Sequence, residues 1–448
     1  MTEKLQKRYG LLTAVTMVVG IVIGSGVFFK AEKILNATNG SLSIGILAWM
    51  VGGAIMLSCS YVFSLLAARY VKVNGIVDYA EAALGKTYGY LVGWFMAVIY
   101  YPILVMVLAW LSARYTAVFF GFTDPIASAP VYIIALIYMI IAFAINAIAP
   151  IISGKIQVTT TVIKLIPLAL IAVFGVVYGL FTGQTVENFS AVTTNIVTNS
   201  NPFLTSVVAT AFAYEGWIIA TSINAELKDS KKNLPRALVL GSLIVIFVYI
   251  AYFIGLAGAM PTSEFMAGGE GAVKIAFTKL LGNFGGSTLF IFVVISCLGT
   301  LNGLTLGNTR GIYAIATRGM GPKPKLFAQL DRESNMPVNS AIFGVVMSSI
   351  WLLVWYGNFA EWWPLFFDIS ELPIVTMYGF YIPIFIWMMR SLKTLTVFQR
   401  IIMPLVALAG SVFMIYAAYL SHGIAVWIYL GMFALILLLG LALKGKSA

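Results

Sequence analysis

The chain has 448 residues, of which 61% are hydrophobic and 10% charged, and a net charge of +11. Soluble globular chains carry roughly 25% charged residues, so a mean hydropathy of +0.97 excludes a soluble enzyme and leaves no room for a sizeable soluble domain. The positive balance does not mark a nucleic-acid binder, because the basic residues are spaced by membrane topology.

Apolar runs long enough to cross a hydrocarbon core of ~30 Å recur along the whole length. About twelve are predicted, over 11–36, 41–69, 87–119, 129–149, 155–180, 203–225, 237–260, 284–316, 338–356, 361–389, 398–420 and 423–443. The expected fold class is all-α integral membrane, a single transmembrane domain over 1–448. Most of the 27 lysines and arginines lie at the two ends and in every second loop, among them Lys72, Lys86, Lys228, Lys231, Lys232, Arg236, Arg318, Lys323, Lys325, Arg332, Arg390, Lys393 and Arg400. The opposite loops hold Lys30, Lys33, Lys274 and Lys279. The positive-inside rule then puts both termini in the cytoplasm. No cleavable signal is expected, since the first apolar run is too long for a signal h-region. Cys59 and Cys297 fall inside spans and read as small core residues.

The first span, "VVGIVIGSGVFFK", carries Gly20, Gly24, Ser25 and Gly26 within seven positions. Such glycines also serve close helix packing, so alone they decide little. The sixth span repeats the oddity with Ala213-Tyr214-Glu215-Gly216-Trp217 and adds a carboxylate. A charge in mid-membrane costs about 2.5–3.5 kcal/mol on insertion scales and is rarely idle. The two oddities are five spans apart, an odd step that gives them opposite orientation, the mark of an inverted-repeat transporter with discontinuous helices. The repeats are read as 11–180 and 203–389, with 398–443 as two appended helices.

An opened helix offers carbonyls on one side and N–H groups on the other. The carbonyl end is expected near Val22 and Ile23 and the N–H end near Ser25, Gly26 and Val27, with Gly24 also counted among the substrate-binding residues. The sixth span reverses this around Phe212, Ala213, Tyr214, Glu215 and Gly216. A ligand carrying a carboxylate and an ammonium a few Å apart answers both poles, and an α-amino acid is the simplest such molecule.

"VIGSGVFF", "FAYEGW" and "NAELKDSKKNLPRAL" together resemble the amino acid–polyamine–organocation superfamily, and within it the L-amino-acid-transporter group, whose bacterial members exchange neutral amino acids. The resemblance covers essentially the whole chain. It implies that the substrate carboxylate takes the N–H groups of Ser25 and Gly26, that its amino group takes carbonyls of Val22, Phe212 and Glu215, and that Phe212 is the gating aromatic. Glu215 departs from the pattern, since many members have glycine there. It could pair with the ammonium, cap the second half-helix or titrate.

Lys164 lies nine residues beyond Lys155, ~14 Å deep at 1.5 Å per residue. The resemblance implies that its ammonium stands where sodium-coupled relatives hold an ion, bridging the first and eighth spans, so that no sodium is needed. The expected activity is therefore sodium-independent antiport of small or medium neutral L-amino acids across the cell membrane. The alternative is a proton-coupled symporter with cationic amino acids among its substrates. Among the other charges, Arg114 and Arg310 read as interfacial. Glu371, about ten residues into the tenth span, is a candidate neighbour of the substrate side chain, and Asp368 is unassigned. His422 reads as exposed, and Trp362, Trp363 and Trp427 as interfacial anchors. Asn233-Leu234-Pro235 reads as the start of the seventh helix. With a single histidine and no HExxH or GxSxG, catalysis is not expected, nor is a metal or cofactor. Animal members of the group join a glycoprotein through a cysteine after the third span. The stretch Gly121 to Ala129 has none, so the chain is expected to work without a heavy-chain subunit.

Overall fold

The computed structural model describes residues 5–24, 26–71, 74–190, 202–268, 271–363 and 369–445, without the side chains of Phe29, Ala211, Phe212, Ser287 and Ser421. Among these residues it is all helical, with one isolated parallel bridge between Tyr9 and Leu227. In chain order the helices are α1 (Leu11–Val22), α2 (Gly26–Ala37), α3 (Leu42–Ala67), α4 (Gly75–Phe95), α5 (Tyr101–Phe119), α6 (Ala129–Ile148), α7 (Pro150–Leu170), α8 (Val176–Thr182), α9 (Gln184–Ser190) and α10 (Pro202–Ala213). There follow a 3-10 segment, Trp217–Glu226, and α11 (Ser230–Ala259), α12 (Thr262–Ala267), α13 (Ala272–Asn308), α14 (Gly311–Ala316), α15 (Pro324–Phe327), α16 (Val338–Phe359), α17 (Leu372–Ser391), α18 (Met403–His422) and α19 (Ala425–Leu443).

Ten helices among the described residues are long and apolar enough to cross a membrane, which makes this a multi-pass membrane protein. The first and sixth expected spans are not among the ten, because each is divided into shorter pieces on either side of residues 23–25 and 214–216. The third span, α4 running into α5, is almost wholly enclosed by protein, whereas little of α19 is buried. Its enclosure places the third span at the centre of the bundle, with α13, α6 and α16 packed around α5.

Two local sequence features shape that bundle. Pro102 has no N–H, so the carbonyl of Val98 loses its helical partner, and Trp351 Nε1 donates to it at 2.8 Å. The turn there, Met96–Tyr100, is widened to π-helix, a form often found at functional sites. Glycines let two backbones meet elsewhere: a Cβ at Gly175 would lie 2.1 Å from the Gly255 carbonyl, and one at Gly258 2.1 Å from that of Gly175.

Several expectations need correction. α11 begins at Ser230, so Pro235 lies inside the helix and does not start it. The tenth span begins at Leu372 with Pro373 at its first turn, where the missing N–H costs nothing. Glu371 is therefore the residue before the helix, not ten residues within it, and it pairs with Lys30 and His422. His422 sits 3.3 Å from that carboxylate with its side chain only 15% exposed. Arg310 is not interfacial: it is fully buried and ion-paired with Glu226. Cys59 and Cys297 are buried in α3 and α13. Asp368 lies outside the described residues.

Candidate functional site

α1 ends in mid-bundle, and its last carbonyls have no partner within the helix. In hydrocarbon such groups must be satisfied by other parts of the protein. Three elements supply the donors. Lys164 on α7 sends its nitrogen to the carbonyls of Gly20 and Ile23, each at 2.7 Å, and to Thr300 Oγ1 at 3.0 Å. An ammonium has three donors, and here they meet three uncharged oxygens. Thr300 on α13 lies 3.0 Å from the same Gly20 carbonyl, and Ser296 donates to Gly24 O at 3.3 Å. A positive group at a helix C-terminus also complements the helix dipole.

The carbonyl of Val22 accepts from the Gly24 backbone N–H at 2.9 Å and from Tyr249 on α11 at 2.8 Å. The same hydroxyl lies 2.9 Å from the carbonyl of Ala213, the last residue of α10. One hydroxyl carries one proton, so it cannot fully satisfy both carbonyls at once. Tyr249 thus joins the C-terminal ends of the two short helices and leaves acceptor capacity between them.

Beyond Ala213 the chain turns at Gly216, whose φ of 104° is open to glycine at little cost. A Cβ at Gly216 would also meet Ile21 Cγ2 at 2.6 Å. Glu215 accepts a hydrogen bond from Tyr100, the residue presented by the π-turn of the third span. Tyr214 points the other way, its hydroxyl donating to Trp49 O at 3.0 Å.

Val22, Gly24, Gly26, Glu215 and Gly216 share one cavity of about 30 Å³. Across it stand Ile21, Leu104, Leu108, Thr300 and Leu304. A water needs ~10–15 Å³ of such space, so an amino acid enters only if these walls move apart. Of the other candidates, Ile23 has left helical geometry at ψ 87°, and Val27 is buried in α2. Ser25 and the Phe212 side chain lie outside the described residues. Tyr249, Tyr100 and Thr300 were missed by sequence reasoning. Only Tyr100 carried a signal, its place two residues before a proline in an apolar span.

A second polar group closes the end of the bundle where the chain enters α1. Tyr9 and Arg8 donate their backbone N–H groups to the Glu226 carbonyl at 3.1 and 2.8 Å, and the Tyr9 hydroxyl donates to Pro150 O at 3.1 Å. The Glu226 carboxylate takes the fully buried Arg310 guanidinium, with Nε at 2.5 Å. Arg8 also reaches Ser334 O at 2.8 Å. That loop is pinned by Asp331, whose carboxyl the Ser334 backbone N–H and hydroxyl hold below its ordinary value.

The sequence pattern of the amino acid permeases matches residues 9–442. The chain belongs to the amino acid permease family. This permease is 31% identical over 418 residues to the serine/threonine exchanger SteT of Bacillus subtilis (strain 168), an alignment covering 92% of this chain and 91% of SteT. It is 27% identical to the large neutral amino acids transporter small subunit 2 of Rattus norvegicus, over 82% of this chain and 69% of the relative. The b(0,+)-type amino acid transporter 1 of Mus musculus is 26% identical, over 84% of this chain and 77% of the relative. Among solved structures, MhsT in complex with L-phenylalanine superposes with a TM-score of 0.60 over 92% of this chain and 99% of that one. At 15% identity that likeness speaks for the fold alone.

Proposed function

We propose that this permease exchanges small or medium neutral L-amino acids across the cell membrane, without sodium, by alternating access around the cavity between α1 and α10. The observation that carries the reading is the meeting of two helix C-termini, α2's N-terminus and Lys164 at one buried point. Carbonyls of Val22 and Ala213 suit an ammonium, and the N–H groups at the start of α2, with Ser25, suit a carboxylate. Leu104, Leu108 and Leu304 present aliphatic walls to the side chain. Lys164 supplies a fixed positive group at the α1 break, the place an alkali ion would fill, and this supports sodium independence.

In this reading the chain has twelve spans in two inverted five-helix repeats plus two, with both termini in the cytoplasm. The ion pair of Glu226 with Arg310 and the Tyr9 contacts then close the cytoplasmic side, and opening inward breaks them. It acts as a transporter and not an enzyme, and as a single chain.

Proteoliposomes test the proposal. Serine and threonine, which SteT is named for, are the first substrates to try, followed by larger neutral and cationic amino acids. Labelled substrate should enter only vesicles preloaded with amino acid, with equal rates in sodium and choline buffers. Accumulation into empty vesicles driven by an acid exterior would overturn exchange in favour of proton symport. Added bulk at Gly26, such as Gly26→Val, should abolish binding by keeping the substrate off the backbone.

A further inference from the structure

Where the chain enters α1, Tyr9 ties it to Pro150, and beside that contact a cavity of about 400 Å³ lies between the start of α1 and the first turns of α7. Ile151, Lys155, Val158 and Thr159 recur at the i, i+4, i+7 and i+8 spacing of one helix face, so α7 contributes a single stripe to the wall. Arg8 and Thr13 line it from the other side. These side chains carry donors that nothing takes up. Lys155 and the hydroxyls of Thr13 and Thr159 make no hydrogen bond among the described residues. Arg8 directs Nη2 to Ser334 O and Gln6 Oε1, and its Nε and Nη1 have no described acceptor.

Among the described residues no acidic side chain lines the cavity. On the adjoining elements Glu226 is taken by Arg310, and Asp331 by Ser334. The wall therefore carries two uncompensated positive charges, and α1 adds the positive end of its dipole, since Gly10 offers no side-chain cap there. A guanidinium with three N–H groups to spare, an ammonium and two hydroxyls suit the oxygens of a phosphate. The surroundings select its source. Leu12, Ile151 and Ile152, beside these polar groups in the chain, are each more than half exposed. In a membrane-spanning bundle that apolar surface meets acyl chains, and basic pockets between such helices hold lipid headgroups. A free phosphate has no use for it.

We propose that this cavity binds the phosphate of an anionic phospholipid, with Arg8 and Lys155 as its cationic partners and the acyl chains lying along Leu12 and Ile151. The phosphate bridges the chain entering α1 to α7, the same two elements that Tyr9 joins. In the topology proposed above, on which the choice of leaflet rests, the lipid belongs to the cytoplasmic leaflet and holds shut the end of the bundle that opens inward.

Native mass spectrometry of the full chain, released from vesicles of equal parts phosphatidylglycerol and phosphatidylcholine, tests this independently of transport. The unaltered protein should retain phosphatidylglycerol in preference. Lys155→Gln and Arg8→Gln should each lower that preference about fivefold, the effect of one cation beside anionic lipid, and Lys155→Arg should keep it. Lys232→Gln, which removes an exposed cation on α11, should leave it unchanged. Millimolar inorganic phosphate should not displace the lipid. Equal retention of the two lipids by the unaltered protein would overturn the proposal, as would an undiminished preference in both glutamine variants of the cavity. An equal loss in Lys232→Gln would replace the site with diffuse attraction, and displacement by inorganic phosphate would assign the cavity to the free ion.

Discussion

The hydroxyl of Tyr249 lies 2.8 Å from the carbonyl oxygen of Val22, so a side chain on the seventh span closes the end of the first. The same oxygen reaches Ala213 on α10. In Tyr249→Phe the Val22 carbonyl keeps the Gly24 N–H at 2.9 Å, whereas the Ala213 carbonyl loses this donor, and an unsatisfied buried polar group costs about 1–3 kcal/mol. The variant should unfold at a lower temperature in detergent. Saturating serine should then stabilise it more than it stabilises the unaltered protein, because the ligand ammonium replaces the missing donor. Equal stabilisation of both would separate Tyr249 from the substrate site.

Lys164→Ala removes three hydrogen bonds at once, two of them to carbonyls that nothing else on α1 can satisfy. Exchange in proteoliposomes should fall at least about tenfold, equivalent to 1.4 kcal/mol on the barrier. Binding of substrate to the purified protein should be partly kept. Unchanged exchange would remove Lys164 from the transport cycle.

Gly216→Ala places a methyl group 2.6 Å from Ile21 Cγ2 at a φ of 104°. Overpacking of this kind costs about 1–3 kcal/mol, and the left-handed backbone adds to it. Affinity for amino acid should drop with the lowered stability. Gly121→Ala, also at positive φ but with open space around it, gives the control in which strain acts away from the cavity.

Arg310→Met leaves the Glu226 carboxylate buried without its guanidinium partner. Breaking one side of a buried pair costs about 3–5 kcal/mol, whereas replacing both sides by apolar groups is often neutral. Thermal unfolding should therefore show a large loss in Arg310→Met and a substantial recovery in Arg310→Met with Glu226→Leu. If the double variant exchanges amino acid but leaks it when preloaded vesicles face substrate-free buffer, the pair serves as a closure as well as a packing element.

Much of this protein was written in residue type alone. Hydropathy marks the ten long helices, because a backbone in lipid has few choices other than helix, and the charge alternation follows from the same constraint. The motifs at 20–26 and 213–217 placed the chain in its family before any coordinate. Val22, Gly24, Gly26, Glu215 and Gly216, chosen for backbone freedom and charge, line a single cavity. Partners across the bundle were not readable in that way. Arg310 looked like an interfacial arginine because its counter-charge, Glu226, is 84 residues away in sequence. Glu371 looked like a mid-helix carboxylate until the helix start at Leu372 put it beside Lys30, 341 residues distant. Tyr249 sits in an apolar run with nothing local to distinguish it. Local composition governs whether a segment can be helix and where that helix is weak. Which side chain answers each broken end depends on how helices far apart in sequence are brought side by side, and only the packed bundle decides that.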